Sequence, residues 1–307
     1  MAKLLGLDIG GTKTAAVIGT EEGAILQRIE FTSRATRGPE ALIDDILTAA
    51  RRLMDLHPGV VAAGVSVGGP VDVLRGHIQG PPNLPGWHDV PLREWLSNSL
   101  NLPVAVEHDA KAGALAEWRF GAGRDCNNLV FLTLGTGLGA GIIADGRLLR
   151  GTCNLAGEIG HWRVQPDGPL MYGKRGSFEG MASGAGLPAL AAFLYPERAT
   201  EFGTALALNT LWKEGDRDAE AVIIYSADIL GRGIALMIDL LAPERVILGG
   251  LGPRLGPDFI RIVHDAAAAD ALPGHFASCE IVSCQLADNI GDMAALSVAE
   301  DLWRTLK

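Results

Sequence analysis

The chain of 307 residues is long enough for one large α/β unit or for two lobes around a cleft. Its net charge of −10, from 26 basic against 36 acidic residues, argues against nucleic acid as a partner, because phosphate-backbone binding draws on clustered Lys and Arg. No run reaches the roughly 18 consecutive apolar residues of a membrane span, so a soluble protein with no membrane partner is expected.

Glycine is over-represented, 40 of 307 residues against an average of about 7%, which implies many tight turns or close ligand approaches. Cys126, Cys153, Cys279 and Cys284 form neither CxxC pairs nor a disulfide framework and read as reduced core thiols. Asp8 interrupts the N-terminal apolar run before an h-region forms, so no signal peptide is expected and the cytoplasm is the expected location.

In chain order, residues 3–9 read as a buried strand that Gly10-Gly11 breaks before a second β-like run over 14–18, and a third strand can follow Gly23. Leu42, Ile43, Ile46, Leu47, Ala50 and Leu53 recur at helical spacing and predict a helix over 40–56. An apolar strand over 60–67 then ends in Gly68-Gly69-Pro70, which gives a βββαβ order. The prolines of GPPNLPGWH, 80–88, make a loop, whereas 92–100 and 110–120 read as helices.

A second apolar block, 129–144, carries glycines at 135, 137, 139 and 141 that disfavour a helix. Read as strand, glycine loop and strand, it aligns with the N-terminus at an offset of 125, LDIGGTKTAAVI over LTLGTGLGAGII, with four of twelve positions identical. Such a duplicated hairpin points to two related lobes, with a cleft built from both loops. Helical patterns follow over 183–194 and 218–241, with a solvated turn at 213–217. Residues 243–248 form a buried strand ending in Gly249-Gly250, and 292–306 an amphipathic helix. No low-complexity linker separates the halves, so any hinge is short and falls near 110–125, with the final helix crossing back.

Three strands thus end in glycine turns: Gly10-Gly11-Thr12, Gly135-Thr136-Gly137 and Gly249-Gly250. Backbone N–H groups with no side chain in front of them approach phosphate oxygens closely, and a Thr hydroxyl adds a donor; the plainer reading is hairpin closure. No GxxxxGK[ST] occurs. Gly135 to Ala140 matches the dinucleotide fingerprint GxGxx[GA], with Glu158 near the distance of a ribose ligand. That fingerprint must open a helix, however, and Ile142-Ile143 leads instead into Ala144-Asp145-Gly146, a hairpin signal.

Glu107-His108-Asp109 falls where an apolar stretch meets a helix, so its carboxylate is either an N-cap or a general base for a substrate hydroxyl. Glu158, His161 and Glu179, in AGEIGH and GSFEG, suit hydrogen bonding to a polyol, since neutral His both donates and accepts; a lone His is more often structural.

With these residues in view, DIGGTK at 8–13, PPNLPGW at 81–87, EHDAKAGALAE at 107–117, LTLGTGLGAGII at 132–143, AGEIGH at 156–161, PERVILGG at 243–250 and GDMAAL at 291–296 resemble the ROK family. This family of repressors, open-reading-frame proteins and sugar kinases belongs to the actin-like ATPase (ribonuclease H-like) superfamily, and the colinear motifs span nearly the whole chain. The resemblance implies an α/β protein of two lobes, each a mixed sheet flanked by helices, around a central cleft. A smaller lobe would comprise 1–117 with a helix at about 291–307, and a larger one 118–290. The implied activity is ATP-dependent phosphorylation of a hexose or N-acetylhexosamine at its 6-hydroxyl, with Mg2+ accompanying ATP, in a homodimer.

By the same resemblance Gly10, Gly11, Thr12, Lys13, Gly135, Thr136 and Gly137 flank the ATP phosphates, and Gly249 and Gly250 lie near the nucleotide. Asp8 positions magnesium through water, and Asp109 is the catalytic base. Gly69, Asn83, His108, Asp109, Glu158, His161 and Glu179 meet the sugar.

Two departures stand out. Such kinases carry Asn-Asp where this chain has His108-Asp109, which changes a group that bonds a sugar hydroxyl. The family's zinc motif, CxCGxxGC with a Glu two residues on, is also altered: Leu170, Tyr172 and Ser177 stand at the cysteine positions, while Gly173, Gly176 and Glu179 are retained. His161 alone cannot make a closed tetrahedral site, so no structural zinc is expected. Two alternatives are a sugar-sensing regulator and a non-catalytic sugar-binding protein of the same fold. Against the first, a helix-turn-helix would precede the DIGGTK-like motif, where seven residues stand; against the second, Asp109 is retained.

Overall fold

A computed structural model describes residues 1–307, which divide into two compact units: 1–124 with 148–156 and 286–307, and 125–147 with 157–285. The two units are nearly equal in length, and the first takes in 148–156 and 286–290.

In the first unit, β1 (Lys3–Ile9), β2 (Lys13–Thr20) and β3 (Ile25–Thr32) form an antiparallel meander. Helix α1 (Pro39–Leu56) leads to β4 (Val60–Val67), which runs parallel to β1. A small hairpin, β5 (Val71–Asp72) with β6 (His77–Ile78), and α2 (Leu92–Leu100) precede β7 (Val104–His108), parallel to β4, and α3 (Asp109–Phe120). The sheet order is β3-β2-β1-β4-β7.

The apolar stripe of α1 buries Leu42, Ile46 and Leu53 with Leu5, Leu7, Val65 and Trp87, the last supplied by the proline-rich loop. The C-terminal helix, Ile290–Leu306, packs on β1 and β4 so closely that a Cβ on Gly64 would stand 2.2 Å from the Ala299 nitrogen. Absence of a side chain at Gly64 is what admits the helix backbone.

In the second unit, β8 (Leu129–Leu134) and β9 (Leu138–Ala144) form an antiparallel hairpin with β10 (Arg147–Leu148) at its edge. A separate hairpin pairs β11 (Leu170–Met171) with β12 (Lys174–Arg175). Helices α4 (Phe178–Ala182), α5 (Gly186–Leu194), α6 (Ala205–Lys213) and α7 (Arg217–Leu241) lead to β13 (Arg245–Leu248), parallel to β8. Helices α8 (Leu251–Leu255), α9 (Pro257–Asp270) and α10 (Pro273–Ala277) then precede β14 (Glu280–Ser283), parallel to β13. The order β10-β9-β8-β13-β14 repeats that of the first sheet.

Asp216 caps α7 by accepting the Asp218 and Ala219 N–H groups at 3.0 and 2.9 Å. This helix has the length and composition of a membrane span, but 67% of its most apolar window is buried inside the protein, where Val222, Leu230 and Ile234 share a core with Phe259 and Val263.

The duplicated hairpin read from sequence is present, with one difference. Ile9 pairs with Thr14 around Gly10–Lys13, whereas Leu134 pairs with Leu138 around Gly135–Gly137, a turn one residue shorter. The helix over 257–270 and the strand over 280–283 had no counterpart in the sequence reading. The four cysteines are unpaired as expected, but not all are core residues: Cys126 is buried and Cys153 exposed.

Replacing Gly64 with Ala forces the C-terminal helix off the sheet, and the expected cost is about 3 kcal/mol, the upper end for overpacking. Urea unfolding of Gly64→Ala against the parent chain measures it, and a loss below about 0.5 kcal/mol would mean that the helix does not rest on the sheet backbone.

Candidate active site

In the first unit the candidate side chains gather where β1, β4 and β7 end. β7 passes into α3 without a connecting loop, so His108 is the N-cap and Asp109 the first helical residue. The Ala110 N–H is shared: Asp109 Oδ1 accepts it at 2.7 Å and His108 Nδ1 at 3.4 Å. His108 Nδ1 also lies 3.3 Å from Asp109 Oδ1. Asp109 thus occupies the helix start without being the cap, and its side chain is 48% exposed. Its second oxygen, Oδ2, takes no hydrogen bond from the protein and lies beside Gly68 and the Asn83 amide: the position of a Cβ on Gly68 is 3.9 Å from Oδ2 and 3.7 Å from both amide atoms.

The neighbouring turns set these distances. A Cβ on Gly69 would fall 2.6 Å from His108 Cδ2, so the absence of a side chain at 69 is what lets the imidazole lie against the end of β4. Gly11 likewise admits the Asn83 carbonyl, 2.4 Å from where its Cβ would stand. The Gly10–Lys13 turn is tied down by Ser33, whose hydroxyl donates to the Gly10 carbonyl at 2.5 Å and whose N–H donates to the Thr12 carbonyl at 2.9 Å. Lys13, expected at the phosphates, turns its ammonium to Glu30 at 2.8 Å.

Asp8 lies on β1 opposite Ser66. Burial, together with the charges of Asp292 and Asp109, pushes its carboxyl up to about 7, opposed by Arg28 and a Ser66 hydrogen bond. Asp292 is raised as well, chiefly by burial, although Arg28 Nε donates to its Oδ2 at 2.5 Å.

Glu107, Asn154 and Lys111 support this region. Glu107 is 2% exposed, and its Oε1 accepts both the His108 N–H at 3.0 Å and the Asn154 side-chain amide at 2.9 Å. Lys111, equally buried, donates to the Asn154 carbonyl at 2.6 Å. These bonds are why residues 148–156 fold with the first unit. The EHDAK string singled out Glu107 but gave Lys111 and Asn154 no role; a charged residue two positions into an alanine-rich helix was the available signal.

In the second unit the Gly135–Gly137 turn has the carbonyls of Gly135 and Thr136 occupied and its amides open. The Gly184 N–H donates to the Gly135 carbonyl at 2.7 Å and the Ala185 N–H to the Thr136 carbonyl at 3.2 Å, while Gly135 and Thr136 are exposed. Exposed amides on a turn whose carbonyls point inward form an anion-binding surface. Gly184, a Cβ on which would meet the Gly135 carbonyl at 2.5 Å, was not singled out from sequence. Gly249 donates its N–H to the Leu132 carbonyl at 2.8 Å, and Gly250, with φ of 62°, packs on the Leu134 carbonyl; both sit at the end of β8.

Glu179, near the start of α4, accepts the Leu138 N–H on Oε2 at 2.9 Å, while its Oε1 is buried with no partner. A Cβ on Gly160 would stand 3.3 Å from that of Glu179, so the bare backbone lets the 158–161 turn pack there, and Glu158 and His161 are exposed. Of the residues at the family's cysteine positions, Leu170 and Tyr172 lie on the β11–β12 hairpin, and buried Ser177 caps α4 through the Gly180 N–H at 3.1 Å.

Residues 4–300 match the family described as ROK. A glucokinase of Thermotoga maritima is 31% identical over 312 residues, covering 97% of this chain and 98% of that protein. An N-acetylmannosamine kinase of Shigella boydii is 34% identical over 249 residues, covering 80% of this chain and 82% of its own. The crystal structure of a ROK family glucokinase from Streptomyces griseus in complex with glucose and AMPPNP matches with a TM-score of 0.81 and 32% identity, covering 98% of this chain and all of that one. With two sheets of one strand order, each mixed and flanked by helices as in the actin-like ATPases, and with a family match over almost its entire length, the chain belongs to the ROK family.

Proposed function

We propose that this protein transfers the terminal phosphoryl group of ATP to the 6-hydroxyl of a hexose or N-acetylhexosamine, in the cytoplasm, where ATP is supplied. The observation that carries the reading is Asp109: one oxygen fixed by the Ala110 N–H, the other open beside Gly68 and Asn83. A carboxylate held in this way orients a substrate hydroxyl and takes its proton as the oxygen attacks phosphorus. Asn83 and His108 offer hydrogen bonds to neighbouring hydroxyls, and Glu158, His161 and Glu179 offer further ones. The open amides of Gly135 to Gly137, with those of Gly11 and Thr12, suit phosphate oxygens, and their role is to hold the transferring group without reorganisation.

The carboxyl of Asp8 fits magnesium, because its ionised form is disfavoured by burial and by two acidic neighbours, and a cation relieves both effects. Mg2+ keeps several waters and is content with one or two carboxylates besides the phosphates. When bound it neutralises charge on the phosphates.

Asp109→Asn preserves shape and the Ala110 contact but removes the base, so kcat should fall by at least about 10²-fold while the melting temperature stays within a few degrees. ADP release with a hexose panel measures it; near-normal turnover would falsify the assignment.

For Asp8 the sign of the stability effect follows from its raised pKa. The proton binds more tightly in the folded state, so the stability that this gives is present below pH 4 and is lost as pH rises through about 7. Without divalent cations, Asp8→Asn should therefore gain up to about 4 kcal/mol over the parent at pH 8, and progressively less towards pH 4. Unfolding curves at several pH values test this, and an equal effect at pH 5 and 8 rules it out.

His108→Asn restores the family's amide and clears the space against Gly69. The ratio of kcat/KM for glucose over N-acetylmannosamine should change by about 5-fold or more without loss of turnover, the scale of a single contact in a binding pocket. An unchanged ratio means that the ring does not face the sugar.

A further inference from the structure

The hairpin of β11 and β12 turns on two residues, Tyr172 and Gly173, since Met171 pairs directly with Lys174. Both have positive φ, 48° and 73°, the conformation of a type I′ turn. Asn, Asp or Gly is favoured at the first of these positions; a bulky aromatic residue there is strained. Burial does not offset that strain, because Tyr172 is 61% exposed. The strain is thus kept for something other than packing.

The Tyr172 ring meets the imidazole of His161, edge-on, with centroids 5.9 Å apart and planes inclined by 63°. The hairpin is bound to the same segment on both sides. The Lys174 ammonium donates to the His161 carbonyl, and Arg163 Nη1 donates to the Arg175 carbonyl at 3.1 Å. Glu179 is close enough for its charge, added to burial, to push the Tyr172 phenol upwards. The Glu179 carboxylate has one oxygen engaged by Leu138 and the other buried without a partner, as expected of a group that awaits a donor from a ligand. Tyr172 therefore meets the ring of His161 and lies within reach of the charge of Glu179, two of the side chains read as sugar contacts.

We propose that Tyr172 is a positioning residue of the sugar site: its ring edge fixes the imidazole of His161, so that His161 and Glu179 present their hydrogen-bonding groups to the sugar hydroxyls in one orientation. The inference rests on the reading of His161 and Glu179 as sugar contacts. The strained turn is what aims the ring at the imidazole.

The test uses the full chain, with glucose, ATP and magnesium in steady-state kinetics. Tyr172→Asn suits the turn, so the variant should fold with an unchanged or higher melting temperature. Its KM for glucose should nevertheless rise by about 10-fold, with the KM for ATP unaltered. Tyr172→Phe keeps the ring edge and should bring the glucose KM back to within about 3-fold of the parent. Ring-proton shifts of His161 in NMR spectra should move in the Asn variant and stay near parental values in the Phe variant. A glucose KM unchanged in Tyr172→Asn overturns the proposal, as does a Phe variant as impaired as the Asn variant. A parent chain that phosphorylates neither glucose nor any other hexose overturns instead the kinase reading on which the proposal stands.

Discussion

The buried carboxylate of Glu107 fixes the peptide on which β7 becomes α3. It takes the His108 N–H and the Asn154 amide on one oxygen, in surroundings where an unpaired charge is too costly to keep. The groups at the start of α3 take their positions from that peptide. The His108 peptide starts the helix, the Ala110 N–H orients the first carboxylate oxygen of Asp109, and Lys111 ties the same helix to the backbone of Asn154. Cys153 and Asn154 both adopt left-handed conformations, a costly arrangement that these side chains hold in place.

Around this corner glycine works by letting backbone come close. Gly11 admits the Asn83 carbonyl, Gly69 admits the His108 ring, and Gly291 leaves room for the Asp8 carboxylate, 2.2 Å from where its Cβ would stand. In the second unit Gly137 and Gly160 do the same for Glu179. At these five glycines a side chain or carbonyl lies where a Cβ would stand, and a Cβ added at any of them displaces a polar group.

The strands and long helices were legible because one period dominated each of them. Leu42, Ile46 and Leu53 could only be a helix face, and 129–144 could not be a helix with its glycines at every second position. Asp109, Glu158, His161 and Glu179 were legible through colinear motifs. Lys111 and Asn154 were not, since their role depends on a contact 43 residues apart in sequence, which no local pattern carries. The helix over 257–270 escaped notice because its alanine run, 266–269, blurs the apolar stripe, and Glu280–Ser283 is too short for alternation to register. Of the two readings open for a carboxylate at 107–109, N-cap or base, the cap falls to neither acid: a carboxylate is the commoner cap, yet here an imidazole nitrogen of His108 shares the Ala110 N–H.

The shorter turn of the second hairpin has a consequence for how the two sheets are compared. Side chains alternate along a strand, so removing one residue at the apex exchanges the faces of everything beyond it unless the pairing slips to match. In the protein it does slip: Leu7 pairs with Ala16 and Leu132 with Ala140. The counterpart of Ala140 is therefore Ala16 rather than Ala15, and beyond the turn the ungapped match of the two segments sets residues on one face of one strand against residues on the opposite face of the other. The glycine turns are thus parts of a common plan that are no longer interchangeable. A loop transplanted from the first hairpin into the second would carry one residue too many and rotate the strand that leads to the Glu179 contact.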